Sequence, residues 1–224
     1  MNAKDLSKQK AAIAATNYIK DGMVVGLGTG STVAFFLDAL AEKKLDITGV
    51  TTSMRTAERG AELGIKIVDI DEVDQIDVTV DGADEVDTYL DGIKGGGAAL
   101  LMEKIVAKNS KKNIWIVDES KVHSVLGSFP LPVEVVPFGN GHLERKFAEA
   151  GLNPKLRVDA DGKTVVTDGG HYILDLHLST LDDPHGLAEF LNQEVGVVEH
   201  GLFLGVADVV IVGGNEIQIK ERRH

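Results

Sequence analysis

The hydrophobic positions in the first half of the chain alternate between two spacings. Short continuous apolar runs predict buried strands, and segments with apolar residues at helical spacing predict helices. The predicted strands are 23–26, 47–50, 65–67, 76–80 and 113–117, and the predicted helices are 6–19, 31–41, 55–63 and 97–108. Because strands and helices alternate, the predicted fold class is α/β, with a Rossmann-like parallel sheet covered by helices on both faces.

The pattern changes in the second half. All five prolines lie there, and strands and helices come in mixed order. The predicted strands are 133–136, 155–158, 165–167 and 172–178, the predicted helices are 142–150 and 186–192, and 195–203 is predicted to be extended. The apolar run 208–212 then resembles the buried strands of the first half. We therefore expect a Rossmann-like domain formed by residues 1–128 plus 205–224, with a small α+β, ferredoxin-like domain inserted at 129–204.

The composition excludes several classes of protein. The chain has 23 Lys and Arg against 35 Asp and Glu, a formal net charge of −12, and no cysteine. An acidic chain is a poor match for nucleic acid or an anionic membrane, so neither is expected as a partner. Zero cysteine excludes a disulfide framework, a thiolate metal site and a cysteine nucleophile, and it fits a cytoplasmic location. The start lacks the layout of a signal peptide, and no apolar run approaches the roughly 18–20 residues of a membrane span.

Residues 26–32, GLGTGST, follow a predicted strand and open a predicted helix. Glycine lets the backbone turn tightly and approach a ligand closely, and a helix start offers free N–H groups to an anion. The hydroxyls of Thr29, Ser31 and Thr32 add donors. The segment lacks the third glycine of the dinucleotide fingerprint and the lysine of a P-loop. It is therefore either a phosphate-binding turn or a capped, glycine-rich connection.

Residues 81–87, DGADEVD, place four acids directly after a predicted strand. In a parallel sheet this end faces the ligand crevice, and neighbouring carboxylates repel one another unless a function compensates. The spacing does not match a calcium loop. A solvated acidic turn is the simpler interpretation, but the position after the strand favours a site.

Residues 94–105, KGGGAALLMEKI, contain three consecutive glycines before a predicted helix. Such a run is entropically costly, and it is best explained by backbone amides that must lie close to something small. Lys94 stands at the entrance, and Glu103 lies among apolar neighbours on the helix. Viewed alone, Glu103 is a surface carboxylate; the alternative is a partly desolvated base with a raised pKa.

The remaining ionisable residues carry weaker signals. Lys8 and Lys121 alone suggest ordinary surface lysines. All seven histidines follow residue 122, and none shows the spacing of a metal-ligand motif. No metal is expected.

Taken together and in order, GTGST at 28–32, DGADE at 81–85 and KGGGAA at 94–99 resemble ribose-5-phosphate isomerase, type A, as does FPLPVEV at 129–135. The resemblance covers essentially the whole chain. It implies an aldose–ketose isomerase of the pentose phosphate pathway, without cofactor or metal, that interconverts ribose 5-phosphate and ribulose 5-phosphate through an enediolate. It also implies a homodimer or a homotetramer.

The resemblance further implies residue roles. Glu103 corresponds to the base that moves a proton between C1 and C2, and Asp81 to a residue that assists ring opening and proton transfer between the two oxygens. Asp84 would bind sugar hydroxyls beside it, and Lys94 with the glycine amides would hold the enediolate oxygen. The implied substrate-binding set is Thr29, Gly30, Ser31, Thr32, Asp81, Gly82, Ala83, Asp84, Lys94, Gly95, Gly96, Gly97, Lys121 and Lys8. The chemistry agrees, since enolisation needs a base tuned towards neutrality and preorganised donors for the oxyanion.

Two turns follow the family pattern less closely. Residues 51–56 form a Ser/Thr-rich turn whose ligand role is open. Residues 167–171, TDGGH, replace the family's usual Asp-Asn-Gly-Asn turn. Because this second turn falls in the small domain, we expect little catalytic consequence.

Two other functions compete with the isomerase. One is a sugar-phosphate-binding sensor domain, which would be fused to a DNA-binding module; this chain has neither spare length nor basic charge for one. The other is a related enzyme of the same fold, such as a CoA transferase or an amino-sugar-phosphate deaminase. A deaminase would be expected to use a histidine, and the first half contains none.

Overall fold

The computed structural model describes residues 2–222, so Arg223 and His224, at the end of the segment 205–224, lie outside the described residues. The helices are α1 (Ala3–Ala15), α2 (Ser31–Glu42), α3 (Met54–Glu62), α4 (Leu100–Lys108), α5 (Asn140–Glu149) and α6 (Pro184–Asn192). The strands are β1 (Val24–Leu27), β2 (Thr48–Thr51), β3 (Lys66–Val68), β4 (Val78–Asp81), β5 (Glu85–Val86), β6 (Gly92–Ile93), β7 (Asn113–Asp118), β8 (Leu131–Val135), β9 (Pro154–Leu156), β10 (Tyr172–Leu176), β11 (Val197–His200), β12 (Leu202–Phe203), β13 (Val209–Gly213) and β14 (Gln218–Glu221). No helix in this part of the chain is long and apolar enough to cross a membrane.

The largest sheet has seven strands in the order β14-β13-β7-β4-β1-β2-β3. All neighbouring pairs are parallel except β13 and β14. Numbered along the chain, its six parallel strands have the order 3-2-1-4-5-6 of the doubly wound dinucleotide-binding fold. Every residue of β4, β7 and β13 is buried, as expected for strands covered on both faces. The predicted Rossmann-like α/β fold is confirmed.

Two apolar layers cover this sheet. On one face, α1 contributes only alanines to the buried core, Ala11, Ala12 and Ala15, which lets the helix lie close to the strands. The longer side chains of α2, including Phe36 and Leu40, fill the space beside them. On the other face, α4 packs over a layer that includes Trp115 of β7. The sheet is therefore buried on both sides, and its strand ends are left to form a site.

A second sheet has four strands in the order β11-β8-β10-β9, all antiparallel to their neighbours. Its chain order is strand, helix, strand, strand, helix, strand, with α5 after β8 and α6 after β10. This is the split βαβ arrangement of ferredoxin-like units. Leu131, Val133, Phe147 and Leu191 form part of its own buried core. We call residues 131–200 the small unit.

A third, three-stranded sheet, β12-β6-β5, joins the small unit to the large sheet. Phe203 of β12 packs edge-on against Trp115 of β7, with ring centroids 6.3 Å apart. Glu85 of β5 is fully buried, and its carboxylate accepts the N–H groups of Gly127 at 2.7 Å and Phe129 at 2.8 Å. The hydroxyl of Ser128 donates to the same carboxylate. One acidic side chain thus holds the segment that leads into the small unit.

Several sequence predictions differ from the structure. The predicted helix 97–108 begins only at Leu100, because the preceding residues form a turn in which Ala98 has a φ of 58°. The predicted strand 165–167 is wrong: this segment is a loop beside an isolated bridge between Val158 and Thr164. Strands β5, β6 and β14 were not predicted, since two are very short and the third is mostly exposed.

We expect Glu85→Ala to lower the free energy of unfolding by about 3 kcal/mol, because two buried backbone N–H groups lose their acceptor at about 1–3 kcal/mol each. Urea denaturation of the purified protein measures this. The control is Glu149→Ala, an exposed position near the end of α5. Equal stability of the two variants would show that the Glu85 carboxylate does not anchor the segment.

Candidate active site

The candidate site lies where the order of the large sheet reverses. From β1 the chain builds outward through β2 and β3 on one side, and through β4, β7 and β13 on the other. In doubly wound sheets the loops at the carboxyl ends of the two strands diverge at this point and leave a crevice. A cavity of about 160 Å³ occupies it, lined by Lys4, Lys8, Thr29, Gly30, Ser31, Thr32, Gly82, Ala83, Asp84, Lys94, Gly95, Gly96, Gly97, Glu103 and Lys121.

The cavity therefore brings together residues that are far apart in the sequence. Every residue of the implied catalytic and substrate-binding sets lines it except Asp81. Lys4 lines it as well and was missed by sequence reasoning. A signal for Lys4 existed, because Lys4 and Lys8 are four residues apart and share one face of α1.

Asp81 ends β4 and lies behind the cavity wall. Its Oδ1 atom accepts the N–H groups of Thr29 at 3.0 Å and Gly82 at 2.7 Å, and its Oδ2 atom lies 3.0 Å from the Lys94 ammonium. Both carboxylate oxygens are thus occupied. A Cβ at Gly28 would overlap this carboxylate, which explains the glycine there in physical terms. Asp81 therefore joins the two glycine-rich turns.

A layer of hydroxyl groups supports the first turn from behind. The Thr29 hydroxyl lies 2.7 Å from that of Thr52 and donates to Ser53 Oγ at 2.9 Å. The Thr56 hydroxyl donates to the Gly28 carbonyl at 2.8 Å. The Ser/Thr-rich turn 51–56 therefore positions the glycine turn.

The small unit touches this layer. The backbone N–H of Met54 donates to the carboxylate of Asp168 at 3.0 Å. Asp168 belongs to the turn 167–171, for which we expected little catalytic consequence. The contact shows that this turn rests on the start of α3, one layer away from the cavity.

Lys94 is the buried cation of the site. Its side chain is only 3% exposed, and its ammonium lies 2.6 Å from the Gly82 carbonyl oxygen, 3.0 Å from Asp81 Oδ2 and 3.3 Å from Glu103 Oε1. Burial alone would lower the pKa of Lys94, but the charges of Asp81 and Glu103 outweigh burial and raise it. Lys94 is therefore charged throughout the neutral range.

Glu103 is the buried carboxyl group of the site, 5% exposed in its side chain. Burial raises its pKa to about 8, with Lys94 lowering it and Asp81 and Asp84 raising it further. Its Oε2 atom is buried and accepts no hydrogen bond from any residue between 2 and 222. An unpaired, buried carboxylate oxygen is costly for folding and is suited to accept a proton.

The triglycine turn lies opposite the first glycine turn. The N–H of Gly96 donates to Asp84 Oδ2 at 2.7 Å, and the N–H of Ala98 donates to the Gly95 carbonyl at 3.0 Å. A Cβ at Gly96 would lie 2.7 Å from the Asp84 carboxylate, so the turn can approach Asp84 only with glycine. The turn is tightly wound around one acidic side chain.

The opposite end of the cavity is basic. Lys8 donates to the Ser31 hydroxyl at 2.9 Å, and Lys4 and Lys121 also line the cavity. The first backbone N–H groups of α2, which begins at Ser31, have no intrahelical acceptor and carry the positive end of the helix dipole. In a chain of net charge −12, this is a local positive pole.

Within residues 2–222, no group of three or more His, Asp or Glu side chains is arranged to hold a metal ion. The residues that line the cavity include no histidine. His224, at the end of the sequence, lies outside the described residues.

Fold and cavity together define a Rossmann-like α/β protein whose cavity is lined by several lysines and contains a buried carboxylate–lysine pair. A model of the family described as ribose 5-phosphate isomerase A (phosphoriboisomerase A) matches residues 48–217. The chain is 59% identical over 214 residues to ribose-5-phosphate isomerase A of Bifidobacterium longum subsp. infantis, covering 94% of this chain and 92% of that protein. It is 53% identical over 210 residues to the Lacticaseibacillus paracasei protein of the same name, covering 92% of each. The chain belongs to the ribose-5-phosphate isomerase A family.

Solved structures agree with this assignment. A D-ribose-5-phosphate isomerase in complex with phospho-erythronic acid superposes with a TM-score of 0.95 at 41% identity, covering 99% of this chain and all of that chain. The ribose 5-phosphate isomerase A of Neisseria gonorrhoeae gives a TM-score of 0.94 at 38% identity, covering the whole of both chains.

The function follows from the family. The chain is an aldose–ketose isomerase that interconverts ribose 5-phosphate and ribulose 5-phosphate in the pentose phosphate pathway. A model described as the DeoR C terminal sensor domain matches residues 4–70, less than a third of the chain. The sensor alternative is therefore not favoured.

We expect Gly28→Ala to lower kcat/KM for ribose 5-phosphate by about 100-fold, because the added Cβ displaces Asp81 and misplacing a site by about 1 Å has that effect. The matched control is Gly141→Ala, where the nearest atom to the added Cβ is 3.7 Å away. Steady-state kinetics of both variants provide the measurement. Similar rates for the two would mean that the position of Asp81 does not matter for turnover.

Proposed function

We propose that the isomerisation takes place in this cavity, with the phosphate of the substrate at the basic end and the carbonyl carbon beside Lys94 and Glu103. The observation that carries the proposal is Glu103, a buried carboxyl group that lines the cavity and whose Oε2 atom has no hydrogen-bond partner among the described residues. A buried carboxylate without a hydrogen-bond partner is unfavourable for folding. Such a group is suited to abstract a proton from the carbon next to a carbonyl.

Glu103 acts as the base. In the direction from aldose to ketose, the Glu103 carboxylate takes the proton from C2, and the electron pair moves through C1 to the carbonyl oxygen to give an enediolate. Glu103 then returns the proton to C1, while the hydroxyl proton on O2 passes to O1 and leaves the C2 carbonyl. The raised pKa of about 8 suits both the uptake and the return of the proton.

Lys94 stabilises the oxyanion. Its ammonium stays charged while Glu103 gains and loses a proton, so it can face the negative oxygen of the enediolate throughout. Preorganised charge in a buried site is typically the largest electrostatic contribution to such a reaction. The amides of the triglycine turn supply further donors at the same end.

Asp84 and Asp81 have different roles in this proposal. Asp84 lines the cavity and has one carboxylate oxygen held by Gly96 N–H, so the other can bind sugar hydroxyls and assist ring opening. Asp81 has both oxygens occupied by Thr29, Gly82 and Lys94. We therefore propose that Asp81 positions Lys94, where the family resemblance implies a direct role in ring opening and proton transfer.

The ligand of a related structure carries the two kinds of group that the proposed site would bind. The isomerase with a TM-score of 0.95 was solved with phospho-erythronic acid. That compound has a phosphate at one end and a planar carboxylate at the other, and the carboxylate resembles an enediolate in shape and charge. In this chain the basic pole would hold the phosphate, and Lys94 with the triglycine amides would hold the carboxylate.

We expect Glu103→Gln to reduce kcat by at least about 100-fold, the lower part of the usual range for a general base. Binding of phospho-erythronic acid, measured by calorimetry, stays within a few-fold because the amide keeps the shape. For the unsubstituted enzyme, kcat/KM rises with pH until about 8 and then levels, since the base must be deprotonated. The control is Glu149→Gln, at an exposed position. Near-normal turnover by Glu103→Gln would contradict the assignment of the base.

We further propose that the reaction is independent of metal ions. The support is that Lys94 already places a fixed positive charge beside Glu103, where a metal would otherwise stabilise the oxyanion. Turnover is then expected to be unchanged after treatment with EDTA and gel filtration. Activity that is lost and then restored by a divalent cation would contradict this proposal.

We also propose a cytoplasmic homodimer in which residues 1–128 plus 205–224 form the catalytic domain and 129–204 a small domain carried on it. Phe138 and Val195, 94% and 95% exposed, lie together on one groove of the small unit and are candidates for the contact with the second copy. Sedimentation velocity of the purified chain measures the assembly directly.

A further inference from the structure

The triglycine turn is held from the small unit by an arginine that the mechanism has not used. Arg157 follows β9, and one of its terminal nitrogens, Nη1, donates to the carbonyl oxygens of Gly95 at 2.8 Å and Gly96 at 3.2 Å. Its other two nitrogens bind the carboxylate of Asp175 on β10, Nε to Oδ2 at 2.8 Å and Nη2 to Oδ1 at 2.5 Å. All three guanidinium nitrogens are thus engaged.

The contact lies on the outer side of the turn. Gly95, Gly96 and Gly97 line the cavity, whereas Arg157 and Asp175 do not. In a trans peptide the C=O and N–H groups point in opposite directions. A peptide whose carbonyl faces Arg157 therefore directs its N–H away from the small unit.

This geometry explains the direction in which two successive amide N–H groups point. With the Gly95 carbonyl on Arg157, the N–H of Gly96 points away and donates to Asp84 Oδ2 at 2.7 Å. With the Gly96 carbonyl on Arg157, the N–H of Gly97 also points away, and it finds no acceptor in the described part of the chain. The second amide is free for an oxygen of the substrate.

We propose that Arg157, held by Asp175, is a positioning residue that orients two amides of the triglycine turn, that of Gly96 towards Asp84 and that of Gly97 towards the enediolate. This inference rests on the proposed function of the cavity. Glycine has the widest conformational freedom of any residue, so three in succession do not fix peptide orientation by themselves. Donors stabilise an oxyanion only when they are oriented beforehand. The planar guanidinium can hold a carboxylate and two carbonyls together, which a lysine ammonium cannot do in the same way.

The test compares Arg157→Met, Arg157→Lys and Asp175→Asn with the control Arg145→Met, an exposed arginine on α5 of the same small unit. We expect Arg157→Met to lower kcat by about 100-fold, the usual effect of losing an oxyanion donor, with KM changed by less than about threefold. Arg157→Lys keeps the charge and Asp175→Asn keeps the guanidinium, so each is expected to lose about tenfold in kcat. Arg145→Met is expected to match the unsubstituted enzyme.

A second measurement separates orientation from general damage to the fold. Calorimetry with phospho-erythronic acid is expected to show weaker binding by the Arg157 variants, whereas inorganic phosphate binds with unchanged affinity because the basic pole is intact. Unchanged kcat in Arg157→Met, or an equal loss of affinity for both ligands, would overturn the inference. Failure of the proposed function gives a different result, namely normal turnover by Glu103→Gln.

Discussion

The buried ammonium of Lys94 is the interaction on which the site depends. An isolated charge in a protein interior is very costly, and Lys94 is tolerated only because Asp81, Glu103 and the Gly82 carbonyl surround it. Asp81 is in turn held by two backbone amides from two different loops. Removing Lys94 leaves two buried carboxylates without their cation, and removing either carboxylate leaves Lys94 with a single charged partner. The cluster therefore ties the ends of β1 and β4 to α4 and makes one rigid wall of the cavity.

The same cluster also determines the pKa of Glu103. Burial raises its pKa, and Lys94 limits the rise, so that the pKa is about 8 and lies close to neutral pH. The same burial leaves one of its oxygens without a partner, which is unfavourable for stability and useful for proton transfer. Lys8 contacts Ser31 at the start of α2, and the proposed function places the phosphate of the sugar there and its reacting carbons beside Glu103.

Residues of the small unit contact the loops that surround the cavity. Arg157 reaches the triglycine turn, Asp168 reaches the start of α3, and Glu85 holds the chain that leads into the unit. The two residues in each of these contacts are separated by 42 to 114 positions in the sequence. A parallel sheet alone provides the crevice, but the orientation of its glycine-rich loops comes from outside it.

The sequence by itself determined the α/β alternation, the two glycine-rich turns and the acidic turn, because strand periodicity, glycine runs and charge spacing are local properties. It indicated Glu103 and Lys94 through the resemblance of KGGGAA at 94–99 and the neighbouring motifs to the family, because Glu103 viewed alone has the features of a surface carboxylate. Only the tertiary structure decided that Asp81 contacts Lys94, that Lys4 lines the cavity, and that Arg157 contacts the triglycine turn. It also decided that helix α4 begins at Leu100 and that 165–167 is a loop. Which side of a turn a carboxylate faces, and which distant arginine meets its carbonyls, depends on packing between segments, and no spacing along one chain encodes that.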